Sequence, residues 1–419
     1  KGWSWEDVLP YFVKAERQQT FDDSLHGSEG PLHVQDVVDK RPIHETFLDA
    51  MEEQGVPRNA DFNGVDQAGC GYYQFTQKNG RRWSAASAYL NPARGRSNLD
   101  IKTNVQTQRI IFEGKKAIGV ETERSGRVEV IKARHVIVSC GAIGSPQLLE
   151  LSGVGDSERL STLGINVNHH LPDVGEHLQD HLLSKIVYGT RPDLSFNREV
   201  TGARLVPAAL KWFFMRKGPL TTGSAPVGAF LYTRDGLEAP DIQVHFASGA
   251  TLYNEEGKIR ALAEPAMTAV VNQSRPESRG SIHINSADHR QHPQIKANYL
   301  STELDRRTMV DGMKLLLKVF ESKALASSIT SRLAPFPELS ELDDEALLDH
   351  IREDASTVYH PTSTCSIGKV VDENLRVKGL EGLSVVDASV MPYVVSGNTN
   401  AATIMLAEKN ADYLVANAK

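Results

Sequence analysis

Three short stretches hold the residue types that can do chemistry. The first is Tyr359-His360-Pro361-Thr362-Ser363-Thr364-Cys365. A neutral imidazole, with a pKa near ~6.5, can take a proton from a weakly acidic group near neutrality. Pro361 biases the residue before it toward an extended backbone, which places His360 on a loop or strand end. A lone histidine there fits a structural role as well. The second stretch, SGNTNAAT, puts Asn398 and Asn400 at the start of an Ala-rich helical text. An asparagine there can cap the helix or hydrogen-bond a bound molecule. The third is Gly141-Ala142-Ile143-Gly144-Ser145-Pro146, directly after the apolar run Val136-Ile137-Val138. Such a glycine-containing strand-to-helix turn lets a backbone approach a ligand and aim N–H groups at it. A packing turn with no ligand reads the same way.

These residues need elements to hold them. Val136–Val138 is short and β-branched, as in a buried parallel strand. Ser145–Pro146 is expected to open the following helix, with proline at its first position, and Gly153 and Gly155 to close it. Upstream, NLDIKTNVQTQRIIFE reads as two strands around Thr103–Thr107. A turn at Gly114 and a strand over AIGVETE follow. Residues 183–275 are rich in Gly, Pro and aromatics and lack periodicity beyond the apolar, basic ALKWFFMRKG. Met309, Val310, Met313, Leu316, Leu317 and Phe320 form a helical stripe. LSVVDASVMP reads as a buried strand ending in a turn. The C-terminal helix follows, with Ser396 and Asn398 as suitable caps.

Composition narrows the classes. The 419 residues are 40% hydrophobic and 24% charged, with a net charge of -7. That is an ordinary globular balance, and scattered Lys and Arg argue against a nucleic-acid partner. Cys70, Cys140 and Cys365 show no metal or disulfide spacing. Reduced thiols in the cytoplasm are expected, and no metal site. No apolar run is long enough for a transmembrane segment.

Several long motifs, in order, resemble the glucose–methanol–choline (GMC) oxidoreductase family. GAIGSPQLLELSGVG (Gly141–Gly155) is similar to that family's second signature. YHPTSTCSIG, GLSVVDASVMP and GNTNAATIMLAEKNAD are similar to its C-terminal region. HGSEGPLHV, RRWSAASAYLNPARGRSNLDI and SRGSIHINSADHRQHPQIKANYLS match further family text. The resemblance runs from Gly2 to the C-terminus. It implies an FAD enzyme that oxidises a primary alcohol to the aldehyde, with hydride passing to flavin N5. It implies a catalytic pair, His360 as base and Asn398 on the substrate oxygen. It also implies cofactor contacts at Thr107, Asp387, Ala388 and Asn400. A small-molecule alcohol and an electron acceptor, quinone or oxygen, are the implied partners. The implied location is the cytoplasm or the periphery of the inner membrane. An oxygen-using oxidase, a hydroxynitrile-lyase-like activity and an inactive fragment are the alternatives.

Two departures accompany the resemblance. No GxGxxG turn is present, although the family holds the ADP half of FAD on one. The chain is therefore expected to be N-terminally truncated and, alone, to hold FAD poorly. In choline-specific relatives a glutamate pairs with the quaternary ammonium, but here GPLTTGSAPVGAF places Pro226 at the matching position. An uncharged alcohol is expected instead. The expected fold is α/β: an FAD-binding, Rossmann-like domain lacking its first βαβ unit, interleaved with a substrate domain on a mixed sheet with flanking helices. The expected regions are 1–182 (FAD-binding), 183–274 (substrate side) and 275–412, which returns to the flavin domain with His360 and Asn398.

Overall fold

The computed structural model describes residues 2–223, 225–253, 259–262, 264–334 and 343–417. Helices α1 (Trp5–Ala15) and α2 (Pro42–Glu53) come first, then strand β1 (Gly69–Tyr72). Helix α2 begins with Pro42, where the missing N–H costs nothing, and it buries Ile43, Phe47, Leu48 and Met51 along one face. An antiparallel meander follows: β2 (Gln106–Glu113), β3 (Lys116–Arg124) and β4 (Arg127–Lys132). One strand stands where two were read around Thr103–Thr107. Asn104 takes φ +56°, a left-handed conformation that interrupts an extended run. Gly114, at φ +59°, makes the expected turn.

Next come β5 (Val136–Val138) and α3 (Gly141–Leu151). The helix starts five residues before Pro146, which the sequence marks as its first position, so Pro146 lies inside it. Pro146 has no N–H for the carbonyl of Ala142, one turn back. The Thr364 hydroxyl donates to that carbonyl instead, at 2.6 Å. A residue of the His360 loop thus stabilises the departure from helix rules.

Strand β6 (Leu182–Thr190), helix α4 (Leu205–Met215) and strands β7 (Val227–Leu231), β8 (Ile242–Ala247) and β9 (Ala266–Gln273) lead to helix α5 (Glu303–Phe320). Strand β10 (Ile329–Ala334), helix α6 (Asp344–Asp354) and the short β11 (Ser356–Thr357) follow. One seven-stranded sheet gathers these strands in the order β10-β6-β9-β8-β7-β1, with β11 also on β6. Every described pairing in it is antiparallel rather than mixed. Among sheet neighbours, only β7, β8 and β9 follow one another in the chain; the others are brought together from distant segments. Helix α5 is capped by the Thr302 side chain, and its whole expected stripe is buried. That stripe joins Phe47, Ile242, Val244 and Phe246 in one core.

The chain then returns to its first region. Strand β12 (Leu383–Val385) pairs in parallel with β5, Leu383 opposite Val136. Helix α7 (Asn400–Ala416) packs against α1, and Lys14 bonds Asp412 at 2.9 Å. Val138, Leu149, Val385 and Leu406 share a second core. The two regions interleave in sequence, so the loops between β6 and β12 bring distant residues together. The three cysteines are unpaired, and no described helix is long and apolar enough to cross a membrane.

Candidate active site

His360 sits on the segment between β11 and β12, just before Pro361, and is buried. Its position is fixed from the β6 side. The carboxylate of Asp180 accepts the backbone N–H of His360 and that of His181, each at 2.9 Å. The Tyr299 hydroxyl, at 2.5 Å, and the Thr357 hydroxyl donate to the same carboxylate. Four donors leave Asp180 committed to architecture. Its negative charge nevertheless remains beside the imidazole.

The side chains form a chain of hydrogen bonds: Ser274 carbonyl, His181, His360, Asn398. Nε2 of His181 lies 3.0 Å from the Ser274 carbonyl oxygen. Nδ1 of His181 lies 2.9 Å from Nδ1 of His360, and Nε2 of His360 lies 3.0 Å from the Asn398 amide nitrogen. A carbonyl only accepts, so His181 carries its proton on Nε2. Burial, then the neighbouring His360, push the pKa of His181 down to about 3. It is therefore neutral, and its Nδ1 is a lone pair. His360 must donate from Nδ1, and its own lone pair is then on Nε2, facing Asn398. Burial also lowers the pKa of His360, with the Asp180 charge opposing. A neutral imidazole with its basic nitrogen aimed at a polar partner can accept a proton from a hydroxyl placed there.

Aromatic side chains stand beside this chain. Phe230 packs against Gly397, next to Asn398. Phe62 lies 5.2 Å from Phe230 and 5.1 Å from Tyr73, centroid to centroid. His245 on β8 lies 5.3 Å from Tyr73. Burial, then His360, depress its pKa to about 4, and its Nε2 is buried without a partner among the described residues. Pro226 is buried at the head of β7, where its carbonyl accepts the Tyr73 N–H at 3.0 Å. No charge is offered at that position.

Of the residues matched to FAD contacts, Asp387 and Ala388 are tied into the start of α3 and the His360 loop. Asp387 follows β12, and its carboxylate accepts the Gly141 N–H at 2.9 Å and the Ser145 hydroxyl at 2.5 Å. It thereby ties the ends of both parallel strands to the start of α3. The Ala388 carbonyl accepts the Ser363 N–H at 3.3 Å, linking this turn to the His360 loop. Asn400 opens α7 two residues after Asn398, and both are exposed. The sequence marks Asn398 as a cap, but its amide is spent on His360, and Ser396 accepts from Arg275. Helix α7 has no side-chain cap at all, so N–H groups of its first turn remain available to an electron-rich ring edge. Gly141 has φ +76° with open space where a Cβ would stand. Ile137 and Ile143 are exposed beside it, although a parallel pair is ordinarily covered on both faces. A flat, partly anionic cofactor fits such a face. Thr107 lies further off, on β2 opposite Thr122.

The structure thus brings His360 and Asn398 into direct contact and joins Asp387 and Ala388 to their loop. Sequence reading missed His181 and His245. The text GEHLQDH carried a signal for the first, since a histidine follows an aspartate at the entry to an apolar strand. His245 sits in ordinary strand text.

Family models described as GMC oxidoreductase match residues 1–183 and 276–407. The chain is 39% identical to an alcohol dehydrogenase [acceptor] of Pseudomonas putida over 427 residues, covering 99% of this chain and 76% of that one. It is 38% identical to human mitochondrial choline dehydrogenase, covering 99% of this chain and 70% of the other. Among solved structures, pyridoxine 4-oxidase from Mesorbium loti superposes with a TM-score of 0.86 at 27% identity, over 99% of this chain and 78% of that one. Family models over both ends of the chain, and relatives matched along nearly its whole length, lead to one assignment: the chain belongs to the GMC oxidoreductases, a family of FAD-binding oxidoreductase enzymes.

Proposed function

We propose that this protein oxidises an uncharged primary alcohol to the aldehyde, with His360 as the base and Asn398 as the group that orients the substrate oxygen. The observation that carries the reading is the lone pair on His360 Nε2. It is fixed there by His181 and Ser274 and lies 3.0 Å from the Asn398 amide.

An alcohol hydroxyl displaces the direct contact of Nε2 with the Asn398 amide and bonds both. The amide N–H donates to the substrate oxygen and sets its direction. Nε2 accepts the hydroxyl proton, and the imidazolium formed is stabilised by the nearby Asp180 charge. FAD, when bound, supplies the acceptor for the hydride that leaves carbon. Asp387, Ala388 and Asn400 would hold it on the open face, with Thr107 toward its adenine end. Phe62, Tyr73, Phe230 and His245 wall the substrate side with apolar and weakly polar surface. Pro226 stands where a cation would need a carboxylate. The unpaired cysteines fit a reducing compartment such as the cytoplasm.

The test uses the protein saturated with FAD under anaerobic conditions. Benzyl alcohol or 1-butanol should bleach the flavin absorbance faster than choline does. Bleaching by choline alone overturns the substrate class. Failure of every alcohol to bleach it overturns the oxidation reading. Peroxide release under air separates oxygen from a quinone as acceptor.

A further inference from the structure

Helix α4 has an apolar face that the protein leaves in solvent. Val206, Leu210, Phe213 and Phe214 follow the i, i+4, i+7, i+8 spacing of one helical stripe. They are 61%, 53%, 61% and 76% exposed, and Met215 beside them is 59% exposed. The opposite face is the anchored one. Ala208 is buried, and the Trp212 indole N–H donates to the Gly80 carbonyl at 3.1 Å. The helix is therefore firmly seated, with its second apolar face turned outward.

Charge around the stripe is one-sided. From Arg198 to Lys217 the chain carries Arg198, Arg204, Lys211, Arg216 and Lys217. The single acid in that span, Glu199, is paired with Arg41 at 2.7 Å. Arg216 reaches the stripe itself, lying over the Phe213 ring at 5.9 Å as well as over Trp212 at 4.5 Å. This basic rim belongs to a chain of net charge -7.

We infer that α4 is a docking element for an anionic lipid surface, inserting Val206, Leu210, Phe213 and Phe214 among acyl chains while the basic rim meets lipid phosphates. An apolar stripe with flanking Lys and Arg is the pattern of an interfacial helix, lying in the membrane plane and not across it. A protein partner fits less well. The four stripe residues expose on the order of 500 Å², below the ~800 Å² per side of a stable dimer. A second copy would also bring the same basic rim against itself, at an electrostatic cost. Nothing in this inference depends on the chemistry at His360.

The test is co-sedimentation of the FAD-saturated protein with vesicles of phosphatidylcholine alone and of phosphatidylcholine mixed with phosphatidylglycerol. Binding is expected to the mixed vesicles, reduced at high salt and weak on phosphatidylcholine alone. The triple variant Leu210→Ser/Phe213→Ser/Phe214→Ser should lose ~10-fold or more of the affinity. Lys211→Glu/Lys217→Glu should remove the preference for anionic lipid. All three substituted apolar residues are exposed, so circular dichroism and the melting temperature should stay as in the parent. Failure of the parent to bind mixed vesicles overturns the inference, as does a triple variant that sediments equally well. A parent dimer that the triple variant dissolves, without vesicle binding, overturns it in favour of a second copy.

Discussion

The molecule buries histidines in two opposite settings. His26 and His283 each stand between two carboxylates. His26 faces Glu16 and Asp61, both at 3.0 Å, and His283 faces Glu150 at 2.8 Å and Glu176 at 2.9 Å. A carboxylate favours an imidazole nitrogen that donates to it, and for His26 the two carboxylates outweigh the burial that would otherwise lower its pKa. The His181–His360 pair has no carboxylate on its ring nitrogens. Its partners are a carbonyl, each other and an amide. The first arrangement fastens segments together. The second leaves one nitrogen lone pair in a fixed direction. A buried histidine is thus read by what its nitrogens face, not by its burial.

Removing the base should separate the two settings most sharply. With FAD saturating, His360→Ala should lower kcat/KM for an alcohol by about 10²- to 10⁴-fold, the usual contribution of general-base catalysis. His283→Gln should weaken folding yet leave kcat of the folded fraction near the parent. Steady-state kinetics with a thermal melt on each variant decides it. Comparable kcat losses in both variants would erase the distinction.

A smaller effect should come from His181, which touches no reacting atom and acts by fixing the tautomer of its neighbour. His181→Leu removes the acceptor for the His360 Nδ1–H, and kcat should fall by about 10²-fold with KM little changed. His181→Gln supplies an amide oxygen in place of the lone pair and should restore most of the rate. The pH profile adds a readout that a packing defect would not move. The base works when neutral, and burial lowers the pKa of His360. In the parent, kcat/KM should fall only below the ordinary imidazole range of ~6.5. In His181→Leu that acid limb should change position, because the bond holding the neutral tautomer is gone. An unchanged limb with an equal rate loss in both variants would reduce His181 to packing.

How far these features were legible in the sequence depends on their range. The β5 strand, the α5 stripe and the α7 helix are encoded by local periodicity, and all three stand where it puts them. The contact of His360 with Asn398 spans 38 residues and was reachable only because family motifs name both. The start of α3 was misread because its compensation, the Thr364 hydroxyl on the Ala142 carbonyl, comes from 222 residues away. His181 was missed for the same reason: its meaning lies in Ser274 and His360, 93 and 179 residues distant. Asn398 was legible as a residue of interest, but its amide serves His360 rather than the helix. Local text cannot say which of two partners an amide will take.

The smallest effect, and the one that tests the electrostatic half of the comparison, concerns stability against pH. For His26 burial lowers the pKa, but the hydrogen bond to Asp61 and the charge of Glu16 outweigh it, and the net shift is upward. Its contribution is therefore fully present below the unfolded value of ~6.5 and is lost as pH rises through the folded pKa. For His181, with a pKa near 3, the sign reverses. The unfolded chain binds the proton more readily, so stability falls as pH drops below ~6.5. His26→Gln should then cost about 2 kcal/mol at pH ~6, the order of a charge-assisted hydrogen-bond pair, and less at pH ~9. Urea midpoints at the two pH values measure this directly. A cost that is equal at both, or larger at the higher one, would mean that the carboxylates around His26 hold it by geometry alone, and the contrast between the two settings would then rest on tautomer and not on charge.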